Sequence, residues 1–411
     1  MKKLLTVWLI VGLLTMSGCS LIWPDSSSSE ESRTFSASEP ALAEEYAGQW
    51  CYQRLDARLK ANYAALYTAV RQGMEQDVYV TIANTDGSGE RDYLGVQVEL
   101  PFTLYTEAEA RLLYTAFTRD NPHLFYIGST YSYKGYHAGS ADYYTTFTLV
   151  YTMNASERAA AASLLEEKVN ALLTQAQQLP SQFEKQLYLH DQLLAACRYD
   201  HAAAESERPM LEYPQAFTAY GALVEGKAVC EGYSRALQLL LNRVGMECTL
   251  VSGTDLTSGI AHMWNMVTVD GRNYHVDATW NDRDDLPRHV FFNLTSSEIE
   301  RTHSLDNENI GVDTCVSTQA GYYRYTNRFI DDYQKSRIVE AVAKEIRSGA
   351  TWVELQFPST KFPNAFLFVN KHELFREEMD RALQADGMRM WDYTLESYVD
   401  YGVLILRKKA E

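Results

Sequence analysis

With 411 residues, the chain exceeds what one ordinary hydrophobic core holds, so two or three domains are expected. Hydrophobic residues make up 46% and charged residues 22%, the balance of a globular chain. The formal net charge of −17 denies the chain the cationic surface that a nucleic-acid partner requires, and anionic lipid headgroups would repel it.

Attachment to a membrane would therefore need something other than surface charge, and the N-terminus offers it. Lys2 and Lys3 precede the mostly apolar run Leu4 to Met16, which is shorter than the ~20 residues of a spanning helix. Met16-Ser17-Gly18-Cys19 follows and resembles the lipobox of bacterial lipoprotein signals, with Met where Leu is usual. The resemblance covers about the first 19 residues. It implies a signal peptide over residues 1–18, lipidation of the Cys19 sulfur, and a chain exported and lipid-anchored to the outer face of the bacterial cell membrane. Stable anchoring takes more than one acyl chain. A plain signal peptide and an uncleaved anchor are the alternatives. Residues 19–40, with Ser26 to Ser29 followed by Glu30, Glu31 and Ser32, read as a solvated tether.

Residues 41–180 read as an N-terminal α+β region without evident chemistry. A helical pattern to Met74 gives way to alternation at Val78, Val80 and Ile82 and again at Leu94, Val96, Val98 and Leu100, around Asp86-Gly87-Ser88-Gly89, which predicts a hairpin. Thr106 and Glu109 form a capping-box signature ahead of a helix to about Phe117. Tyr- and Thr-rich strands run to Tyr151, then a helix from Ala155 to about Leu179, closed by Pro180.

Residues 181–314 carry the chemistry. A helix from about Gln182 to Cys197 leads in. Cys230 stands at the start of a second helix, whose Leu237, Leu240, Leu241 and Val244 share one face and which Gly245 ends. A thiol in a first helical turn feels the positive end of the helix dipole, which favours thiolate; a buried structural cysteine is the plainer alternative. Downstream, His262 to Val269 reads as a strand, Asp270-Gly271 as a two-residue hairpin turn, and Arg272 to Thr279 as the return strand. In that register Trp264 faces Asp277 and His262 faces Thr279, so His262 and Asp277 are diagonal neighbours on one face. Thiol, imidazole and carboxylate are the three groups of nucleophilic catalysis by cysteine.

Residues 315–411 read as a small C-terminal α/β unit: helices at Ile338 to Ile346 and Leu374 to Leu383, and strands at Trp352 to Phe357, Met388 to Leu395 and Val403 to Leu406. His372-Glu373 begins like a zinc-protease motif but lacks the second histidine.

Three segments occur in order: Gly226-Lys227-Ala228-Val229-Cys230-Glu231-Gly232-Tyr233, His262-Met263-Trp264-Asn265, and Tyr274-His275-Val276-Asp277-Ala278-Thr279-Trp280. His190-Asp191, Tyr199-Asp200, Tyr220-Gly221-Ala222-Leu223 and Phe292-Asn293-Leu294 flank them. Over about residues 186–310 the chain resembles the transglutaminase-like superfamily, particularly its bacterial extracellular branch. The resemblance implies an α+β, papain-like core with the cysteine helix packed on an antiparallel sheet. It implies Cys230 as nucleophile, His262 as general base and acid, and Asp277 as the group that orients the ring.

Animal members carry a tryptophan upstream of the nucleophile that helps hold the oxyanion; Tyr188 through Val229 contains none, and Tyr220 is the candidate second donor beside the Cys230 N–H. Trp264 and Trp280 are assigned to packing or groove walls, and His275 to structure. No cofactor and no metal are expected. Asn281-Asp282-Arg283-Asp284-Asp285 reads as a solvated loop rather than a calcium site, and Cys230, His262, His275 and Asp277 lack zinc-type spacing. Cys51, Cys197, Cys248 and Cys315 allow three full disulfide pairings, among which the sequence does not choose.

The function expected is surface-anchored thiol acyl transfer or amide hydrolysis (transglutaminase, deamidase or cysteine peptidase) on a protein or peptide, cell-wall peptides included. The rival is a catalytically silent surface-binding protein on the same fold.

Overall fold

Polar side chains that satisfy backbone N–H groups set where several helices begin. A computed structural model describes residues 44–83, 89–138, 141–282, 288–307 and 309–409. The lipobox, the tether, Asp86 to Ser88 of the first hairpin and Arg283 to Asp285 lie outside these residues. The helical run expected to Met74 is broken: Trp50–Arg54 and Ala57–Gln72 are separate helices, because the Asp56 side chain accepts the Leu59 N–H at 2.8 Å and starts the second afresh. The helix Glu107–Asp120 starts where Thr106 accepts the Glu109 N–H at 3.1 Å, and it runs three residues past Phe117. Glu109 itself accepts the Tyr105 N–H at 2.7 Å, one residue ahead of the cap. Asn154 and Glu157 form a reciprocal capping box on Ala155–Ala176, and Ser181 caps Gln182–Ala196.

Two compact units result. The first takes in the described residues of Met1–Gly271, Asp277–Pro287 and His303–Asp313. Its N-terminal sheet has strands β1 (Tyr79–Ala83), β2 (Glu90–Leu104), β3 (Ile127–Ala138) and β4 (Ala141–Tyr151), all antiparallel, in the order β1-β2-β4-β3. Val80, Ile82, Val96 and Val98 point into the core, as the alternation predicts. The short strands β5 (Arg198–Tyr199) and β6 (Lys227–Ala228) pair in parallel. A second antiparallel sheet holds β7 (Cys248–Asp255) and β8 (Ile260–Val269), and the edge strand His303–Leu305 pairs with β7 on its other side.

The helix Cys230–Arg243 packs on this second sheet and is buried on more than one face: Tyr233, Ala236, Leu239, Leu240 and Leu241 all lie in the core. Asp270 and Gly271 both adopt positive φ, 49° and 73°, as a two-residue hairpin turn requires, and β9 (Arg272–Val276) follows. The edge strand His303–Leu305 is β10. No described helix is long and apolar enough to cross a membrane.

The second unit comprises Arg272–Val276, the described residues of Arg288–Thr302, and those of Thr314–Glu411. Its sheet holds β11 (Trp352–Gln356), β12 (Tyr393–Tyr398) and β13 (Val403–Lys408), antiparallel in the order β11-β13-β12. Helices Lys335–Arg347, Phe362–Asn370 and His372–Leu383 bury Ile338, Val342, Phe375 and Met379 with Leu355, Leu404 and Leu406 of the sheet. The strand expected from Met388 begins only at Tyr393: the Met388 N–H turns back to the Leu383 carbonyl and the Met390 N–H to Asp380, which ties 388–390 to the preceding helix. His289 Nδ1 and the Tyr323 hydroxyl meet the buried Glu354 carboxylate at 2.9 and 2.8 Å.

A close approach requires glycine at position 232. A Cβ on Gly232 would meet the Ala216 carbonyl at 2.5 Å and the Ala228 side chain at 2.7 Å, so only glycine lets the first turn of the cysteine helix settle on that backbone. Gly232→Ala is expected to cost about 1–3 kcal/mol of stability; a melting temperature equal to that of the parent chain would contradict this packing.

Candidate active site

Cys230 is the first residue of its helix, after extended Val229 and strand β6. The thiol is half-buried. His262 lies on β8, opposite Gly253 of β7, and the Cys230 sulfur is near enough to help raise the pKa of its ring. His262 Nε2 stands 2.7 Å from Asp277 Oδ2. Helix and strand are locked beside these groups. Asn265 donates to the Ser234 carbonyl at 2.9 Å, and Ser234 Oγ lies 2.8 Å from the Cys230 carbonyl and 3.0 Å from that of Met263.

Asp277 reaches His262 by a route other than the diagonal strand pair. Strand β9 stops at Val276. Asp277 caps the short helix Ala278–Asn281, with Oδ1 accepting the Trp280 N–H at 3.0 Å. Local capping by an aspartate competes with the sheet ladder and wins here, so Thr279 is helical and not opposite His262.

A second histidine shares the carboxylate. His303 Nε2, on β10, lies 3.0 Å from the same Asp277 Oδ2. His303 and Asp277 are fully buried, and 9% of the His262 side chain is exposed. The His303 ring sits 4.9 Å from Trp264, 4.5 Å from Trp280 and 5.3 Å from His262. His303 lies in none of the three sequence motifs, and no local pattern marks it; only the pairing of β10 with β7 brings it here. Trp264 is fully buried, so it packs beside His262 and walls no open groove; Trp280 is half-buried.

The Tyr220 ring stacks on Phe125, and its hydroxyl responds to burial and to Glu225. Tyr199 is the tyrosine that feels the thiol. It pairs with Ala228, two residues before Cys230, and its half-buried hydroxyl is pushed up by burial first and then by the charges of Cys230 and Asp277. His275 is buried, with Nε2 3.2 Å from Ser296 Oγ. A cavity of about 160 Å³ lies against Glu231 and Arg235, on a side of the helix that Cys230 and His262 do not line.

His262, Asp277 and His303 bring three potential metal-ligand atoms within 4.8 Å of one another. Both imidazole nitrogens already bond the carboxylate, so an ion would have to replace those bonds. All five described cysteines are free thiols. Burial pushes the thiol of Cys51 well up, that of Cys197 up to about 12, and that of Cys248 up, as for inert core thiols.

Residues 168–278 match the model of the transglutaminase-like superfamily. Among solved structures, one described as a TGase is 16% identical with a TM-score of 0.27, over 45% of this chain and 51% of that one. A candidate cysteine protease from Cytophaga hutchinsonii is 12% identical with a TM-score of 0.24, over 36% of this chain and 61% of that one. A candidate protease from Parabacteroides distasonis is 14% identical with a TM-score of 0.20, over 36% of each. The chain thus spans between about a third and three fifths of the length of these structures. No curated protein sequence matches it.

Burial alone would lower the pKa of His262, and it is the largest single influence. The Asp277 carboxylate and the Cys230 sulfur outweigh it and hold the imidazolium well above its usual range. Burial likewise opposes ionisation of Asp277, but His262 and then His303 hold its carboxyl below the carboxylate range. The raised histidine stabilises the fold below its unfolded pKa, and this is lost as pH rises through the folded value. The depressed aspartate stabilises it above its unfolded pKa, and this is lost as pH falls. The pair therefore contributes most between about pH 4 and pH 6.5. The melting-temperature gap between the parent chain and Asp277→Asn is expected to be widest in that window and to narrow on both sides; a gap constant from pH 3 to pH 9 would contradict it.

Proposed function

Residues 168–278 form a domain of the transglutaminase-like superfamily, and from that premise we propose that the protein is a thiol acyltransferase or amidohydrolase acting on carboxamide or peptide bonds. The observation that carries this reading is one imidazole between a thiol at a helix start and a fully buried carboxylate, with Nε2 2.7 Å from Asp277 Oδ2. Cys230 sulfur attacks the carbonyl carbon, and the C–S bond forms as the carbonyl electrons move to oxygen. The tetrahedral species collapses, the C–N bond breaks, and His262 Nδ1–H gives its proton to the departing amine. Water or a second amine then attacks the thioester and passes its proton to Nδ1, and the C–S bond breaks to restore the thiolate. Asp277 keeps the remaining ring proton on Nε2. No cofactor is needed for these steps.

The oxyanion would meet the Cys230 N–H, which has no partner within the helix. The Tyr199 hydroxyl is the better second donor than Tyr220, given its register beside Ala228. The substrate class proposed is a surface protein, an exogenous peptide or a cell-wall peptide. This follows from the order of elements ending at Cys19, which supports lipid anchoring at the outer face of the membrane.

Incubation with a glutamine-containing peptide and a labelled amine, read by mass spectrometry, separates amine incorporation, deamidation and cleavage. Cys230→Ala is expected to lower turnover by about 10⁴-fold or more; retained turnover would remove the mechanism. Tyr199→Phe is expected to lower kcat roughly 10²-fold with KM little changed. A kcat equal to that of the parent chain would exclude Tyr199 as donor.

A further inference from the structure

We propose that His303 is a positioning residue of this site, a fourth member that holds Asp277 as an ionised acceptor for His262 whether or not the His262 ring is charged. The inference rests on the acyl-transfer reading above.

The geometry states the need. Asp277 is fully buried and accepts three N–H groups: Trp280 N at 3.0 Å on Oδ1, and His262 Nε2 at 2.7 Å and His303 Nε2 at 3.0 Å, both on Oδ2. Three donors fill most of the lone-pair sites of one carboxylate and favour its ionised form. During turnover, however, His262 gives up a proton. At that moment the buried carboxylate loses its cationic neighbour, and desolvation would favour its neutral form. The His303 N–H does not depend on the charge of His262. It keeps Oδ2 an acceptor, and so keeps the His262 proton on Nε2 with the Nδ1 lone pair free for the incoming nucleophile.

Packing fixes this donor. Trp264 and Trp280 hold the His303 ring on β10, and no solvent reaches it. A side chain needed only to fill this space would be apolar, because burying an imidazole has a desolvation cost that only a hydrogen bond offsets. Among the described titratable groups, Asp277 and His262 lie against it. Its hydrogen bond is to Asp277, so its effect on the thiol passes through that carboxylate.

The test compares His303→Phe, which keeps a ring against the tryptophans without a donor, His303→Leu as a second donor-free variant, and His303→Gln, whose amide keeps an N–H near the Nε2 position. The first readout is the rate of Cys230 alkylation by iodoacetamide against pH, which needs no substrate. The acid limb of that profile is expected to move up by about one pH unit in the donor-free variants, and His303→Gln is expected to restore most of it. The second readout is amide turnover, with kcat expected to fall roughly tenfold or more at little-changed KM, a fraction of what general acid–base catalysis supplies. Variants that melt like the parent chain yet keep its alkylation profile overturn the inference. So does a shift equal in Phe and Gln. If the parent chain turns over no amide, the acyl-transfer reading falls, and the positioning inference is then decided by the alkylation profile alone.

Discussion

Everything at the site depends on one carboxylate that is out of reach of water. Asp277 Oδ2 receives His262 at 2.7 Å and His303 at 3.0 Å, and Oδ1 receives a backbone N–H at 3.0 Å. An isolated carboxylate at that depth would be neutral. The three donors keep it charged, and the charge in turn favours the protonated His262 ring. The thiol, the ring and the acid are thus one electrostatic unit.

The scaffold holds this unit through short links. Gly232 lets the cysteine helix sit against the Ala216 carbonyl, and Asn265 and Ser234 tie the helix to β8 within four residues of the thiol. Gly253 does the same for the sheet: a Cβ there would run into the Ser304 carbonyl and the Trp264 ring, so its absence lets β10 and the tryptophan approach. The residues flanking the nucleophile and the histidine in their motifs therefore have mechanical jobs. They set the distances between helix, sheet and histidine that the proposed chemistry would require.

Much of this was legible along the chain. Alternation located β1 and β2, the Asp270-Gly271 pair announced its turn through two positive φ values, and the ordered motifs singled out Cys230, His262 and Asp277. Other features were misread for identifiable reasons. Asp277 looked like a strand residue because β9 leads directly into it, but its side chain captures the Trp280 N–H and ends the strand one residue earlier. The Tyr220 ring stacks on Phe125, and the parallel pairing of β5 with β6, which no local pattern announces, sets Tyr199 beside Ala228.

By itself, the order of residues determined the local periods and many of the caps and turns, and it pointed to Cys230, His262 and Asp277 as candidates, because these are short-range properties of neighbouring side chains and backbone. Only the tertiary structure decided that two histidines share one oxygen of Asp277, that Trp264 lies in the core rather than on a groove, and that the cysteines at 51, 197, 248 and 315 remain unpaired. Those outcomes turn on which distant strands lie side by side and how much water their packing excludes. Hydrogen bonds and charges take their strength from that burial, and no window along the chain records it.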